Sequence, residues 1–301
     1  MGLVSANSSL PRERHRDAYD LGATAPDPGM NRDLNPQAEQ MGDESMARNL
    51  AFQAQAIWPQ EQALFERYAL EGAVRILDLG CGTGEISRRL ARRYPRASIT
   101  GIDILEGNLA LARAANAGFE ARVHYEAGDA FALAHADASF DLVVCRHLSQ
   151  SVPEFPRVLD EIGRVLRPGG WLHLLSEDYA MLRMPRGERD PDRFWVDVVL
   201  PYLESIGCDG RIGRHSPPLL AERGYRDIAV DYVVVDTRRV PRETFGGILR
   251  AWRDGYVDVL AAAGRLDPSE VRADFDAMID AIETPPNYAV WHVPVISARR
   301  P

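Results

Sequence analysis

The residues best placed to do chemistry begin in the run Val74-Arg-Ile-Leu-Asp-Leu-Gly-Cys-Gly-Thr-Gly-Glu85, an apolar stretch that ends in Gly80, Gly82 and Gly84 with Cys81 inside the loop. Glycines here let the chain turn tightly and let a ligand approach the backbone with no Cβ in the way. A nicotinamide-binding fingerprint would carry its third glycine at position 85, where this chain has Glu85. Asp78, two residues before the first glycine, would repel a diphosphate but suits a ligand with an amino group and a sulfonium. A second apolar run, Ile99-Thr-Gly-Ile-Asp103-Ile104, ends in an acid nineteen positions after Gly84. At such a strand end a carboxylate can accept both hydroxyls of an adenosine ribose. A third run leads into Ala127-Gly-Asp129-Ala-Phe131, where Asp129 can accept from an adenine amino group while the Ala130 N–H serves a ring nitrogen. The fourth is Phe140-Asp-Leu-Val-Val-Cys145-Arg146-His147.

The elements that must position these residues follow from periodicity. Strand-like runs at Val74–Leu79, Ser98–Asp103, Arg122–Glu126, Asp141–Cys145 and Trp171–Leu175 alternate with amphipathic helices near Glu85–Arg93, Asn108–Ala117 and Glu154–Leu166. Repeated β-α units of this length predict an α/β fold with a mostly parallel sheet covered on both faces. Before them, Met46, Leu50, Ile57, Leu64, Phe65 and Leu70 recur at helical spacing, and Trp58-Pro59 predicts two helices joined at the proline. Residues 1–44 have few large apolar side chains, so the segment reads as a tail or a flap. After Ser176 come a helix around Phe194–Ile206, a further stretch at Pro217–Arg223, a strand near Ile228–Val235, a helical insert from about Arg242 to Ile282 and a last strand at Val290–Ile296.

His147 follows the fourth strand and is either a general base or a structural residue. The other histidines, His15, His124, His135, His173, His215 and His292, show no metal-ligand spacing, and His124 and His173 fall in strands expected to be buried. The arginines at 183, 186, 189 and 193 alternate with acids, as in a solvated loop. Nothing near Cys81 marks it as a thiolate, so it reads as a small filler.

Composition excludes several chemistries. All 35 basic residues are Arg, as in a GC-rich bacterial genome, and without Lys there is no Schiff-base nucleophile, no lysine-linked pyridoxal phosphate and no Walker-type phosphate lysine. A net charge of −9 disfavours a nucleic-acid partner and favours a small-molecule one. Three widely spaced cysteines fit a reduced, cytoplasmic protein, and neither a signal peptide nor a membrane-length apolar run is evident. A homodimer is compatible with all of this.

The segment from about 74 to 176 resembles the class I (Rossmann-like) S-adenosylmethionine-dependent methyltransferases, on the small-molecule branch with LDLGCGTG loops. The resemblance implies a seven-stranded sheet with helices on both faces, the two late strands as antiparallel sixth and seventh strands, the seventh inserted between the fifth and sixth. It implies an N-terminal flap and cap helices over residues 1–70 and a methyltransferase domain over 71–301. The cofactor half would span 71–176, with substrate-side inserts at 177–226 and 242–287. S-adenosyl-L-methionine is the implied cofactor, its methionine moiety at Asp78, Gly80, Cys81, Gly82 and Gly84, its ribose at Asp103 and Ile104, and its adenine at Asp129 and Ala130. Cys145 and Arg146 would border the sulfonium, Gln55 and Trp58 would close over it, and no metal site is implied. The expected activity is methyl transfer to an O, N or C atom of a small metabolite. A cofactor-binding member of the fold repurposed for other chemistry is the alternative, and a dehydrogenase is disfavoured by Glu85 and Asp78.

Overall fold

Alternation inside the first strand decides which side of the sheet each helix covers. The computed structural model describes residue 31 and residues 33–301. In β1 (Arg75–Leu79), Leu77 and Leu79 face one way and pack with Val143, Cys145, Leu172 and Leu174 against α5 (Phe155–Val165). Ile76 faces the other way and packs with Ile99, Leu142 and Val144 against α3 (Glu85–Arg93) and α4 (Glu106–Ala114). Strands buried on both faces explain why their sequences read as near-continuous apolar runs.

The remaining parallel strands are β2 (Ser98–Asp103), β3 (Val123–Ala127), β4 (Phe140–Arg146) and β5 (Leu166–Leu175). Beyond β5 come a two-residue β6 (Leu182–Arg183), then α6 (Pro191–Phe194), a π turn at Trp195–Val199, α7 (Leu200–Ser205) and α8 (Ile212–Glu222). The chain ends with β7 (Arg226–Asp236), α9 (Arg242–Gly264), α10 (Pro268–Glu283) and β8 (Val290–Arg299). The strand order is β3-β2-β1-β4-β5-β8, with β7 on the far side of β8 and β6 beside its first residues. The last strand lies between the fifth and the penultimate one, as expected, and runs against both. The penultimate strand β7 therefore runs parallel to β1–β5, which corrects the expectation that both late strands oppose the sheet.

The N-terminal helices differ from the sequence reading. After a short α1 (Ala38–Met41), α2 (Glu44–Glu61) runs unbroken through Pro59. Pro59 removes only the bond to the Gln55 carbonyl, and both residues are on the exposed face, where solvent serves that oxygen. Asp43 caps the start of α2 by accepting from the Ser45 N–H at 2.8 Å. The helix packs on α9 and β7, and its buried face joins an aromatic core containing Trp195, Phe245, Trp252, Phe275 and Trp291. Among the described residues no helix is long and apolar enough to cross a membrane. His15 and residues 1–30 of the expected flap lie outside the described residues.

Candidate functional site

The loop after β1 is built so that backbone, not side chain, lines its concave side. Gly80 and Cys81 donate their N–H groups to the Ile102 carbonyl at 2.8 and 2.9 Å, which fixes the loop to the end of β2. Gly80 and Gly82 have φ of +72° and +51°, and a Cβ on Gly82 would meet Leu50 Cδ1 of α2 at 2.6 Å. Gly84 serves packing instead: a Cβ there would strike the Tyr125 hydroxyl and lie 3.0 Å from Ala112.

At the next strand end, Asp103 accepts from the Gly82 N–H at 2.8 Å and from the Leu105 N–H at 2.9 Å. Burial raises its carboxyl, and these backbone bonds pull it back. A cavity opens over this corner, lined by Gly80, Gly82, Asp103, Ile104, Asn108, Arg146, His147 and Leu148 and roofed by Gln37, Met41 and Leu50.

A second cavity adjoins the first. Gln37, Met41, Leu50, His147 and Ser151 line both. Six aromatic rings line it, Tyr179, Trp195, Tyr202, Trp252, Tyr256 and Phe275, and Gln53, Asn49, Gln150 and Glu177 supply its polar end.

His147 therefore stands where the two cavities meet. Its backbone holds φ +55°, costly for a residue with a Cβ and maintained only when surroundings dictate it. Its ring Nδ1 lies 2.6 Å from Glu177 Oε1, so Nδ1 carries the hydrogen and donates it to the carboxylate. Among the described residues Nε2 has no partner, and the residue is only 7% exposed. Glu177 Oε1 also accepts from Gln53 Nε2 at 3.4 Å. The Tyr179 hydroxyl lies beside this carboxylate, and burial together with that charge pushes it well up.

Arg146 is anchored from behind. Its Nε donates to Glu61 Oε1 at 2.8 Å, and the same oxygen lies 2.9 Å from His173 Nε2. The His173 Nδ1 meets the Tyr68 hydroxyl at 2.6 Å. Burial would raise the Glu61 carboxyl, but the Arg146 charge and the His173 hydrogen bond outweigh it and hold it at about 2. Arg146 Nη2 remains without a partner among the described residues.

The structure thus brings together Gly80, Gly82, Asp103, Ile104, Arg146 and His147. The other sequence candidates do not line the cavity, each for a definable reason. Gln55 points to solvent, because two residues along a helix is more than half a turn from Gln53, which does face inward. Cys81 and Cys145 are buried core fillers whose thiols burial pushes up. Gly84 packs on β3 and α4. Asp129 accepts from the Phe131 N–H at 2.9 Å and closes its own turn, with Ala130 packed against the α5-side core. Asp78 lies beneath the loop, accepting from Ser87 Oγ at 2.6 Å, and burial pushes its carboxyl up to about 6.

His173 is buried as expected, within the Glu61 network, whereas His124 is exposed on β3, which corrects the expectation for that residue. The four arginines of the 183–193 loop each pair with an aspartate: Asp192, Asp190, Asp274 and Asp197. Among the described residues no cluster of His, Cys, Asp or Glu is arranged to hold a metal. Glu177 was missed by sequence, although it stands two residues past the end of β5, the kind of position that singled out Asp103.

The glycine cradle and the acid at the second strand end fit an adenosine-bearing cation, because the site offers close backbone, the Asp103 carboxylate and an arginine already neutralised by Glu61. Comparison with known proteins agrees. Residues 76–170 match a family model described as a methyltransferase domain. The chain is 31% identical over 197 residues to the ubiquinone/menaquinone biosynthesis C-methyltransferase UbiE of Dinoroseobacter shibae, covering 64% of this chain and 70% of that protein. It is 33% identical over 188 residues to the ubiquinone biosynthesis O-methyltransferase of Hahella chejuensis, covering 56% and 78% respectively. Among solved structures, the [4+2]-cyclase SpnF is similar with a TM-score of 0.53 at 25% identity, over 80% of this chain and 79% of that one.

Proposed function

The chain belongs to the class I S-adenosylmethionine-dependent methyltransferases, and from that premise we propose that it methylates a hydroxyl of a small metabolite with His147 as the general base. When bound, S-adenosylmethionine supplies a methyl group activated on a sulfonium. Gly80 and Gly82 would hold its amino-acid end, Asp103 its ribose hydroxyls and Ile104 the adjoining face of the base. The Arg146–Glu61 pair adds no net charge beside the sulfonium.

His147 carries the proposal because it borders both cavities, with Nδ1 committed to Glu177 and Nε2 without a partner among the described residues. A neutral ring held in this tautomer presents a lone pair at Nε2 to the acceptor hydroxyl and takes its proton as oxygen gains the methyl group. Glu177 stabilises the imidazolium so formed, as the carboxylate partner does in other histidine bases. Helices α1 and α2 roof both cavities and exclude water. Acceptor recognition falls to these helices and to the inserts at 177–226 and 242–287, which supply the aromatic walls.

The test is transfer of a radiolabelled methyl group to acceptors in a small-molecule extract, comparing wild type with His147→Asn. Asparagine tolerates the left-handed backbone, so loss of transfer with retained cofactor binding assigns the base. Similarity to SpnF, named as a [4+2]-cyclase, favours a second reading in which the cofactor is held while the aromatic cavity promotes a different reaction. Product lacking the label, with the cofactor bound, would select it.

A further inference from the structure

The aromatic cavity is chemically lopsided. Its body is flat-walled: Tyr179 and Trp195 stack at 5.2 Å and 12°, and Trp252 meets Trp195 edge-on at 5.7 Å. Its polar end presents buried acceptors that lack donors among the described residues. Gln53 gives its Nε2 to Glu177, which turns Gln53 Oε1 away with nothing to accept from. Asn49 Oδ1 is equally unpartnered, and so is the bare Nε2 of His147. Asn49 and Gln53 are each 2% exposed, so water does not serve them freely. None of the three belongs to the glycine-loop corner alone; Asn49 and Gln53 line only the aromatic cavity.

Charge narrows the ligand further. Among the described residues no arginine lines this cavity, so they offer no counter-charge to a buried carboxylate or phosphate. The one carboxylate among the described lining residues, Glu177, commits Oε1 to His147 and Gln53, while its Oε2 has no partner there. Acceptors that are mainly neutral call for neutral donors. Trp195 Nε1 is likewise without a partner among the described residues and suits a carbonyl or ether oxygen.

Resting on the assignment of this cavity as the acceptor site, we propose that the acceptor is an uncharged molecule with a flat, ring-bearing body and two adjacent hydroxyls, one directed to His147 Nε2 and the other to Gln53 Oε1.

Calorimetry on protein saturated with S-adenosylhomocysteine tests it with four probes: naphthalene bearing two adjacent hydroxyls, one hydroxyl, a carboxylate, or an aminomethyl group. The cofactor titration comes first, and absence of heat there sinks the methyltransferase reading before any probe is added. With cofactor bound, the diol should bind about fivefold more tightly than the mono-ol, the worth of one further hydrogen bond, and the charged probes more weakly still. Gln53→Leu should erase the diol's advantage over the mono-ol. If that variant does not bind cofactor, the wild-type ranking decides alone. The proposal is overturned if the carboxylate or the amine matches the diol, if Gln53→Leu keeps the diol's advantage, or if none of the four probes binds.

Discussion

Replacing Glu61 by alanine should be among the most damaging single changes outside the cavities. The side chain is fully buried, and one oxygen accepts from Arg146 at 2.8 Å and faces His173 at 2.9 Å. Charged hydrogen bonds contribute roughly 1.5–3 kcal/mol each, and removal of one partner strands the Arg146 guanidinium, whose side chain is 6% exposed. Breaking a buried pair in this way costs about 3–5 kcal/mol. Glu61→Gln keeps an acceptor oxygen and loses only the charge, so its cost should be about half as large. Urea unfolding followed by tryptophan fluorescence reads both. The pH dependence has a defined sign: a carboxyl held at about 2 against its ordinary 4.5 stabilises the fold above 4.5 and loses that contribution as pH falls toward 2. Glu61→Ala should flatten this acid limb. An alanine variant within about 1 kcal/mol of wild type would refute the reasoning, because the network would then not be holding α2 to the sheet.

Three further outcomes are expected. Asp78, raised from 3.8 to about 6, stabilises the ligand-free fold below 3.8 and ceases to do so as pH rises through 6; a cationic ligand favours its ionised form, so S-adenosylmethionine should gain affinity through that window more steeply than the uncharged-sulfur product, and parallel calorimetric pH profiles for the two would disprove this. Asp103→Asn should weaken binding of both ligands by about 1.5–3 kcal/mol, and unchanged affinity would mean that the ribose lies elsewhere. Tyr256→Phe removes the hydroxyl that donates to Gln37 Oε1 at 2.9 Å, so proteolysis within residues 33–43 should quicken, and S-adenosylhomocysteine should slow it in wild type; equal rates would make that segment a passive cover.

Legibility followed burial and sequence distance. Strands β1, β4 and β5 were readable because parallel strands covered on both faces leave apolar runs, and the acids and glycines at strand ends stand out against them. Asp103 and His147 were found by that contrast. Asp129 shared the signal and, like Asp103, accepts from the N–H two residues on, but only Asp103 lines the cavity, a difference that local sequence does not carry. On α2, Gln53 and Gln55 are the same residue type two positions apart, and only packing on α9 and β7 decides which faces inward. Pro59 suggested a break because propensity was read without knowing that its lost bond lies on the solvent side. The aromatic cavity was invisible because it is assembled from residues between Gln37 and Phe275 that meet only in the folded chain.

The central claim is that His147 removes the acceptor proton in a site that binds the methyl donor independently of it. The most direct measurement is methyl transfer from radiolabelled S-adenosylmethionine into a small-molecule extract, run beside calorimetry with S-adenosylhomocysteine on the same samples. Wild type should label a metabolite, and His147→Asn should slow that labelling by roughly a hundredfold or more, the scale of general-base catalysis, while cofactor affinity changes little. Equal labelling by the two proteins, or no labelling by wild type with the cofactor bound, would contradict the account.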